Sequence, residues 1–595
     1  MRRPLLAVLA LLLAVSTDLG LSGCVGLPDS GPVRTESVAD NGEGETLVDY
    51  TPAGPRPGIG RVPLVDNFLT SMTATPLDTR VAREFLAAGS TTSWVPERGT
   101  VVYGSQQLLP RPGGGVMLLL RDVVELDDKG AWRGDPTRGR GHDYRLRLVR
   151  EDGNWRISHP PDRLLIPRAH FDSQYQQYLL YFFDPSGHVL VPEPVYVPRG
   201  RQAPTLLMAG LLKGPEAELA DVERTFLPSG TSLDGVSVPV SSGDTAEVPL
   251  SDQVLEADNA QLDLVFAQIA WTLSQVPGVQ RLRVTVGGTP VDLPGVRDDV
   301  GVGDFKEFDP SVAWASTALF GVRNRRVVTH DSESEDRVSG PFGVLPLGPR
   351  SIAVDLLAQH IAGVSGDGRT VIEADRDGVP GRTASLADTR VVYPRGTDVL
   401  RPAYDHYGQL WVVDRTLSGA RLSVVRGGVA EHVQAPGLTG AQVTRFVLSR
   451  DGTRLVAESR RAGRDRLFVA RVRRDTKGRV LGVAPAQRLV IQGGDPDRIQ
   501  DIAWRGAANL AVLVAPSAGT SEVLDVKVDG SSSSRDLAGD AAPFRGRGVR
   551  LVTAPSRGVP LYLASSSGRL YALSGLGGWT SSNIKPGLDA PTFVG

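Results

Sequence analysis

Ser449-Arg-Asp-Gly-Thr-Arg-Leu-Val456 sets a polar, glycine-centred turn in front of an apolar strand, and the same figure recurs along the C-terminal half of the chain. Ser365-Gly-Asp-Gly-Arg-Thr-Val371, Asp405-His-Tyr-Gly-Gln-Leu-Trp-Val412, Trp504-Arg-Gly-Ala-Ala-Asn-Leu-Ala511 and Pro555-Ser-Arg-Gly-Val-Pro-Leu-Tyr562 share it. Their glycines stand at 368, 408, 452, 506 and 558, at spacings of 40, 44, 54 and 52 residues. One four-stranded propeller blade takes about that many residues, so residues 310–595 are expected to form an all-β propeller. Five blades are expected, or six with Leu561 to Ser574 helping closure, because a closed ring removes the bare sheet edges of an open array. Asp367 and Asp451 are read as turn residues, since Asp accepts local amide bonds and the following Gly supplies positive φ.

Upstream, the period changes. Thr205 to Lys213 reads as a helix stopped by Gly214-Pro215, and Leu262, Val265, Ile269 and Leu273 recur at helical spacing before Pro277-Gly278. Tyr181 to Pro192 reads as a strand, a turn at Asp184–Gly187 and a second strand, and further strands are expected around Val236 and Val248 and from Val279 to Val286, giving an α+β unit over 174–300. "LLMAGLLKGP", "FLPSGTSLDGVSV" and "DLVFAQIAWTLSQVPGVQRLRVTVGG" resemble the GerMN module, a binding domain of spore-germination and envelope proteins. Before it, residues 61–170 begin with two short amphipathic helices, Val65 to Met72 and Thr79 to Ala88. Strands follow at Thr100–Tyr103, Gly115–Leu126, Ala131–Arg133, Tyr144–Val149 and Trp155–Ser158. Helices ahead of a curved sheet, with Phe68, Phe85 and Trp94 as anchors, resemble in arrangement the cone-shaped nuclear-transport-factor-2-like fold. The fold class expected is thus multidomain: α+β, α+β, then an all-β propeller.

The N-terminus fixes location. Arg2 and Arg3 precede an apolar run from Leu5 to Val15, too short to span a bilayer, and Leu21-Ser22-Gly23 leads into Cys24, the single cysteine among 595 residues. This resembles a bacterial lipobox. The resemblance implies a signal peptide at 1–23, and a diacylglyceryl thioether with an N-acyl group, such as palmitate, on Cys24. Two or more acyl chains, at about 0.8 kcal/mol per buried methylene, give stable anchoring. Residues 24–60 are rich in Gly, Pro and acids and read as a disordered tether, about 30 to 35 Å long on root-mean-square.

The remaining chemistry is that of a binding protein. A formal net charge of −2 gives no pull toward nucleic acid. There is no His-x-x-x-His, nucleophile elbow, Walker loop or complete Gly-x-Gly-x-x-Gly, so no catalytic residue, metal site or cofactor is assigned, and the chain is read as not an enzyme. His142-Asp143 and His170 with Asp172 are read as polar residues at element ends. Arginines crowd the 445–479 region, and Arg471, Arg473 and Arg474 are the candidate contacts for an anionic partner such as a cell-wall polymer. The set Tyr175, Tyr178, Tyr181, Phe182 and Phe183 is read as interdomain core.

Lipobox, helix-plus-sheet domain, GerMN module and propeller, in that order, resemble the actinobacterial LpqB lipoprotein family. The resemblance implies a lipid-anchored protein on the extracytoplasmic face of the cell membrane. It also implies a partner: the extracellular domain of the sensor histidine kinase MtrB of the MtrAB two-component system, with effects on envelope homeostasis and cell division. The alternatives are a wall-polymer-binding lipoprotein and a propeller hydrolase acting on wall glycans.

Overall fold

The structure, a computed structural model, describes residues 49–595 apart from 136, 138, 292–298, 313, 332–333, 492–493, 518, 532–541, 557 and 576. Leu21, Ser22, Gly23 and Cys24 therefore lie outside the described residues. The described residues belong to one compact unit. Its first residues, expected in the tether, are held on the folded body. Tyr50 exchanges two backbone hydrogen bonds with Thr75, and the Gly58 amide donates to Asn154 Oδ1 at 3.0 Å.

The N-terminal module packs the helix Arg61–Ser71 over two small sheets. Leu64, Val65, Phe68 and Leu69 recur at helical spacing and are buried, which fixes the face turned inward. The second expected helix is split into Arg80–Glu84 and Ala88–Thr91 because Phe85, Leu86 and Ala87 leave the helix to bury themselves. Phe68 meets Phe85 and Trp94 at ring separations of 6.4 and 5.7 Å. The expected Gly115–Leu126 strand is broken into Val116–Arg121 and Val124–Leu126 at Asp122, which adopts φ 52°. Thr100–Tyr103 pairs antiparallel with Val124–Leu126 and parallel with Leu164–Pro167, while Glu151-Asp-Gly-Asn154 makes the expected hairpin turn.

The second module begins with the antiparallel pair Tyr175–Phe183 and Leu190–Pro198. Against it pack the helices Ala203–Leu212 and Asn259–Leu273, the latter capped by Asp258 accepting from the Gln261 amide. Thr245–Leu250 and Arg281–Val286 pair in parallel. The strand expected at Val236 does not form, and that side chain is 97% exposed. All five aromatics of the Tyr175–Phe183 strand are buried, Tyr175 in the first module's core and the others in the second's.

The C-terminal region is a six-bladed propeller. Six four-stranded sheets, one extended by an extra short pairing, follow one another, and the inner strand of each lies beside that of the next. The inner strands are Ser351–Val354, Ala403–Tyr404, Val443–Leu448, Ile499–Trp504, Gly548–Val552 and Asp589–Thr592. The last belongs to the first blade: it pairs with Leu319–Arg323, so the two ends of the region close the ring together. Closure thus comes from Asp589–Thr592, while Leu561 to Ser574 supplies strands of the sixth blade.

Candidate functional site

The second module and the fourth blade meet through buried charge. Arg454 and Arg471 face each other directly across the Arg454–Arg461 and Arg464–Arg474 strands. Two like charges in that position repel unless an anion joins them. Glu193, on the Leu190–Pro198 strand of the second module, supplies it. Its Oε1 accepts from Arg454 at 2.7 Å and its Oε2 from Arg471 at 2.6 Å, and Arg454 also donates to the Pro192 carbonyl. Burial opposes the charge on Glu193, but the two guanidiniums outweigh it and hold the carboxyl down at about 2. Glu223, 1% exposed beside Glu193, is pushed well above the ordinary glutamate range by burial and by that neighbouring carboxylate, so it carries the proton of the pair.

A second cluster lies alongside. Arg474 and Asp405, both essentially sealed from solvent, pair at 2.6 Å within the propeller, while the Arg474 amide donates to the Asp221 carbonyl at 2.7 Å. The Arg473 side chain pairs with the Asp221 carboxylate. The Tyr407 hydroxyl donates to Asp184, whose carboxylate also accepts from Ser186 and from the His188 and Val189 amides. The His406 ring lies against that of Tyr407, tilted, with centroids 3.9 Å apart, and burial drives its imidazole down to about 4.

Within the arginine-rich strip, Arg471 and Arg474 are thus paired with Glu193 and Asp405 of the same chain, and Arg473, half exposed, is paired with Asp221. Sequence reasoning missed Glu193, Glu223 and Asp405. One signal was available: an acid, Glu193, flanked by Pro192 and Pro194 in an otherwise apolar strand.

Tyr196 joins all three modules. Its ring packs on Trp132 and Phe171 of the first, and its hydroxyl meets Ser531 at 2.6 Å and Lys527 at 3.0 Å in the propeller. Nearby a cleft of about 800 Å³ opens between the modules, bordered by Trp132, Arg133, Glu193, Glu216, Arg471 and Arg488. Its walls carry both signs of charge and one large aromatic, a surface suited to a polar protein segment. His142 pairs with Glu125 and Asp143 with Arg121, none of them among this cleft's lining residues, and Asp367 and Asp451 accept turn hydrogen bonds. Among the described residues no group of three or more His, Cys, Asp or Glu side chains is placed to hold a metal, and no helix is long and apolar enough to cross a membrane.

Three family models match the chain in succession: the N-terminal domain of lipoprotein LpqB at 54–172, a sporulation and spore-germination domain at 179–292, and the LpqB β-propeller domain at 325–592. Relatives named lipoprotein LpqB include those of Thermobifida fusca (27% identical, 92% of this chain and 94% of that one) and Nocardia farcinica (26%, 98% and 96%). That of Mycolicibacterium smegmatis is 26% identical over 92% and 93%. Among solved structures, the first GerMN domain of GerM from Bacillus subtilis matches with 20% identity and a TM-score of 0.19, covering 22% of this chain and 99% of that one. TolB from Acinetobacter baumannii matches with 14% identity and a TM-score of 0.33, over 47% and 66%.

Proposed function

Because the chain belongs to the LpqB lipoprotein family, we propose that it is anchored through acylated Cys24 to the extracytoplasmic face of the cell membrane. There it binds the extracellular domain of the sensor kinase MtrB and modulates MtrAB signalling, and through it envelope homeostasis and cell division. The observation that carries this reading is the order of three matched modules along the chain, shared with relatives named as lipoproteins over most of their length. It is read as a binding protein rather than an enzyme. The junction supports that role, because modules tied by buried ion pairs present a partner with one preformed surface, which lowers the ordering cost of association. Anchoring confines both proteins to one surface and raises their effective concentration. Preferring one conformation of the sensor then shifts its signalling equilibrium.

Two measurements test this. Cys24→Ala is expected to move the protein from the membrane fraction to the soluble or unprocessed pool and to weaken MtrAB output; unchanged membrane retention and output would sink the anchoring claim. Photo-cross-linkers placed at exposed positions bordering the cleft, such as Arg488 and Glu218, are expected to capture the sensor domain in intact cells. Capture of wall polymer instead would replace the kinase reading with the polymer-binding one.

A further inference from the structure

One mouth of the propeller channel is ringed by arginine. The N-terminal ends of successive inner strands place Arg350, Arg401, Arg445 and Arg550 around a cavity of about 300 Å³, with Arg415 and Asp501 completing its charged lining. That volume stands at the lower end of the ~300–1,000 Å³ usual for small-molecule sites.

Three consecutive blades share one device here. The register slips between Val443 and Arg445, between Ile499 and Asp501, and between Gly548 and Arg550, so each inner strand carries a bulge immediately before its charged residue. A bulge re-aims the next side chain, and the same irregularity three times over at one mouth is a built feature.

The carboxylates nearby do not neutralise the ring. Asp398 is shared by Arg350 and Arg415, and Glu458 takes Arg445 at 2.5 Å. Asp501 accepts the Leu551 amide on Oδ2 and leaves Oδ1 3.8 Å from the Arg445 Nε; Asp589 lies near enough to Arg550 to act on its charge. Arg401 and Arg550 have no ion-pair partner among the described residues, and Nη1 of Arg550 is sealed from solvent without a hydrogen-bond acceptor. Burial and the neighbouring Arg401 and Arg445 push the Arg550 guanidinium down to about 10, still charged at neutral pH. Such a group lacks an anion.

We propose that this mouth binds a phosphorylated sugar or polyol, its phosphoryl oxygens held by Arg401 and Arg550 and a neighbouring hydroxyl donating to Asp501. Guanidiniums converging from several blades fit the three oxygens of a tetrahedral phosphoryl group, whereas one fork suffices for a planar carboxylate. The carboxylate in the ring gives a hydroxyl donor its partner and disfavours an anion that carries none.

Calorimetric titration of the full chain with glycerol 3-phosphate, inorganic phosphate and glycerol tests this. Glycerol 3-phosphate is expected to bind, phosphate more weakly, and glycerol not at all. Arg401→Gln and Arg550→Gln are each expected to weaken binding about tenfold or more, the loss of a charge-assisted contact. Asp501→Asn should narrow the preference for glycerol 3-phosphate over phosphate. A melting curve is taken for every variant, and Arg401→Gln, at a position only partly buried, decides the matter where Arg550→Gln alters folding. Phosphatidylglycerol vesicles, against phosphatidylcholine ones, form a parallel arm: binding there alone, abolished by Arg401→Gln, assigns the same chemistry to a lipid headgroup. No binding of any phosphorylated probe, or equal affinities for wild type and both arginine variants, overturns the proposal. Equal affinity for phosphate and glycerol 3-phosphate overturns the polyol part of it.

Discussion

Glu193→Gln is expected to destabilise the protein by about 3–5 kcal/mol, the cost of leaving buried guanidiniums without their anion. Arg454 and Arg471 would then face each other across two strands with only a neutral amide between them. Urea unfolding followed by tryptophan fluorescence measures the loss, and a change below about 1 kcal/mol would contradict it. Glu223→Gln provides the contrast. Burial and the Glu193 carboxylate favour its protonated form, which an amide imitates, so Glu223→Gln is expected to leave stability at neutral pH unchanged or higher rather than lower.

The pH dependence separates the two residues. The folded-state value of Glu193 is depressed, so its contribution is complete above the ordinary value near 4.5 and is lost as pH falls through about 2. For Glu223 the folded-state value is raised. Its contribution is present below the ordinary value and declines as pH rises toward the folded one. Glu193→Gln should therefore remove part of the acid-side loss of stability, and Glu223→Gln should flatten the decline on the other side.

A chain ending at Leu588 should fail to form a cooperative propeller. It lacks the strand Asp589–Thr592, leaving the Leu319–Arg323 strand as a bare edge, and it loses buried Phe593 and Val594. Burial of those two side chains is worth about 3–6 kcal/mol, a large share of the ~5–15 kcal/mol that holds a domain folded. The Gly595 amide bond to the Val354 carbonyl and the Arg450 bond to the Val594 carbonyl go with them. Gel filtration and thermal denaturation should report aggregation and loss of the main transition. A soluble monomer with wild-type melting would refute closure by this strand.

The propeller was readable from its repeats because the turns at Gly408, Gly452, Gly506 and Gly558 are true equivalents, each joining the inner strand of a blade to the next strand out. Gly368 misled. It lies one hairpin further out, between His360–Val364 and Val371–Asp375, and the equivalent turn of that blade uses Ala358 at φ 56°. The first blade was hidden because its strands come from opposite ends of the region, and no local pattern records a pairing between residues 320 and 592. The partners of the arginine strip were hidden for a related reason. Charge density along a strand does not say whether the neighbouring module brings an acid, and Glu193 stands 261 residues before Arg454. The ring at the channel mouth was equally unreadable, since Arg350, Arg401, Arg445 and Arg550 converge only once the blades close.

Tyr196 is set into one module, packed against a second and hydrogen-bonded to the third, and this bears on how the molecule comes apart. Boundaries that look separable along the chain are not seams for heat. A scanning calorimeter should record a single endotherm rather than three, and a fragment excised to ask what one part recognises would present a surface that the intact molecule never exposes.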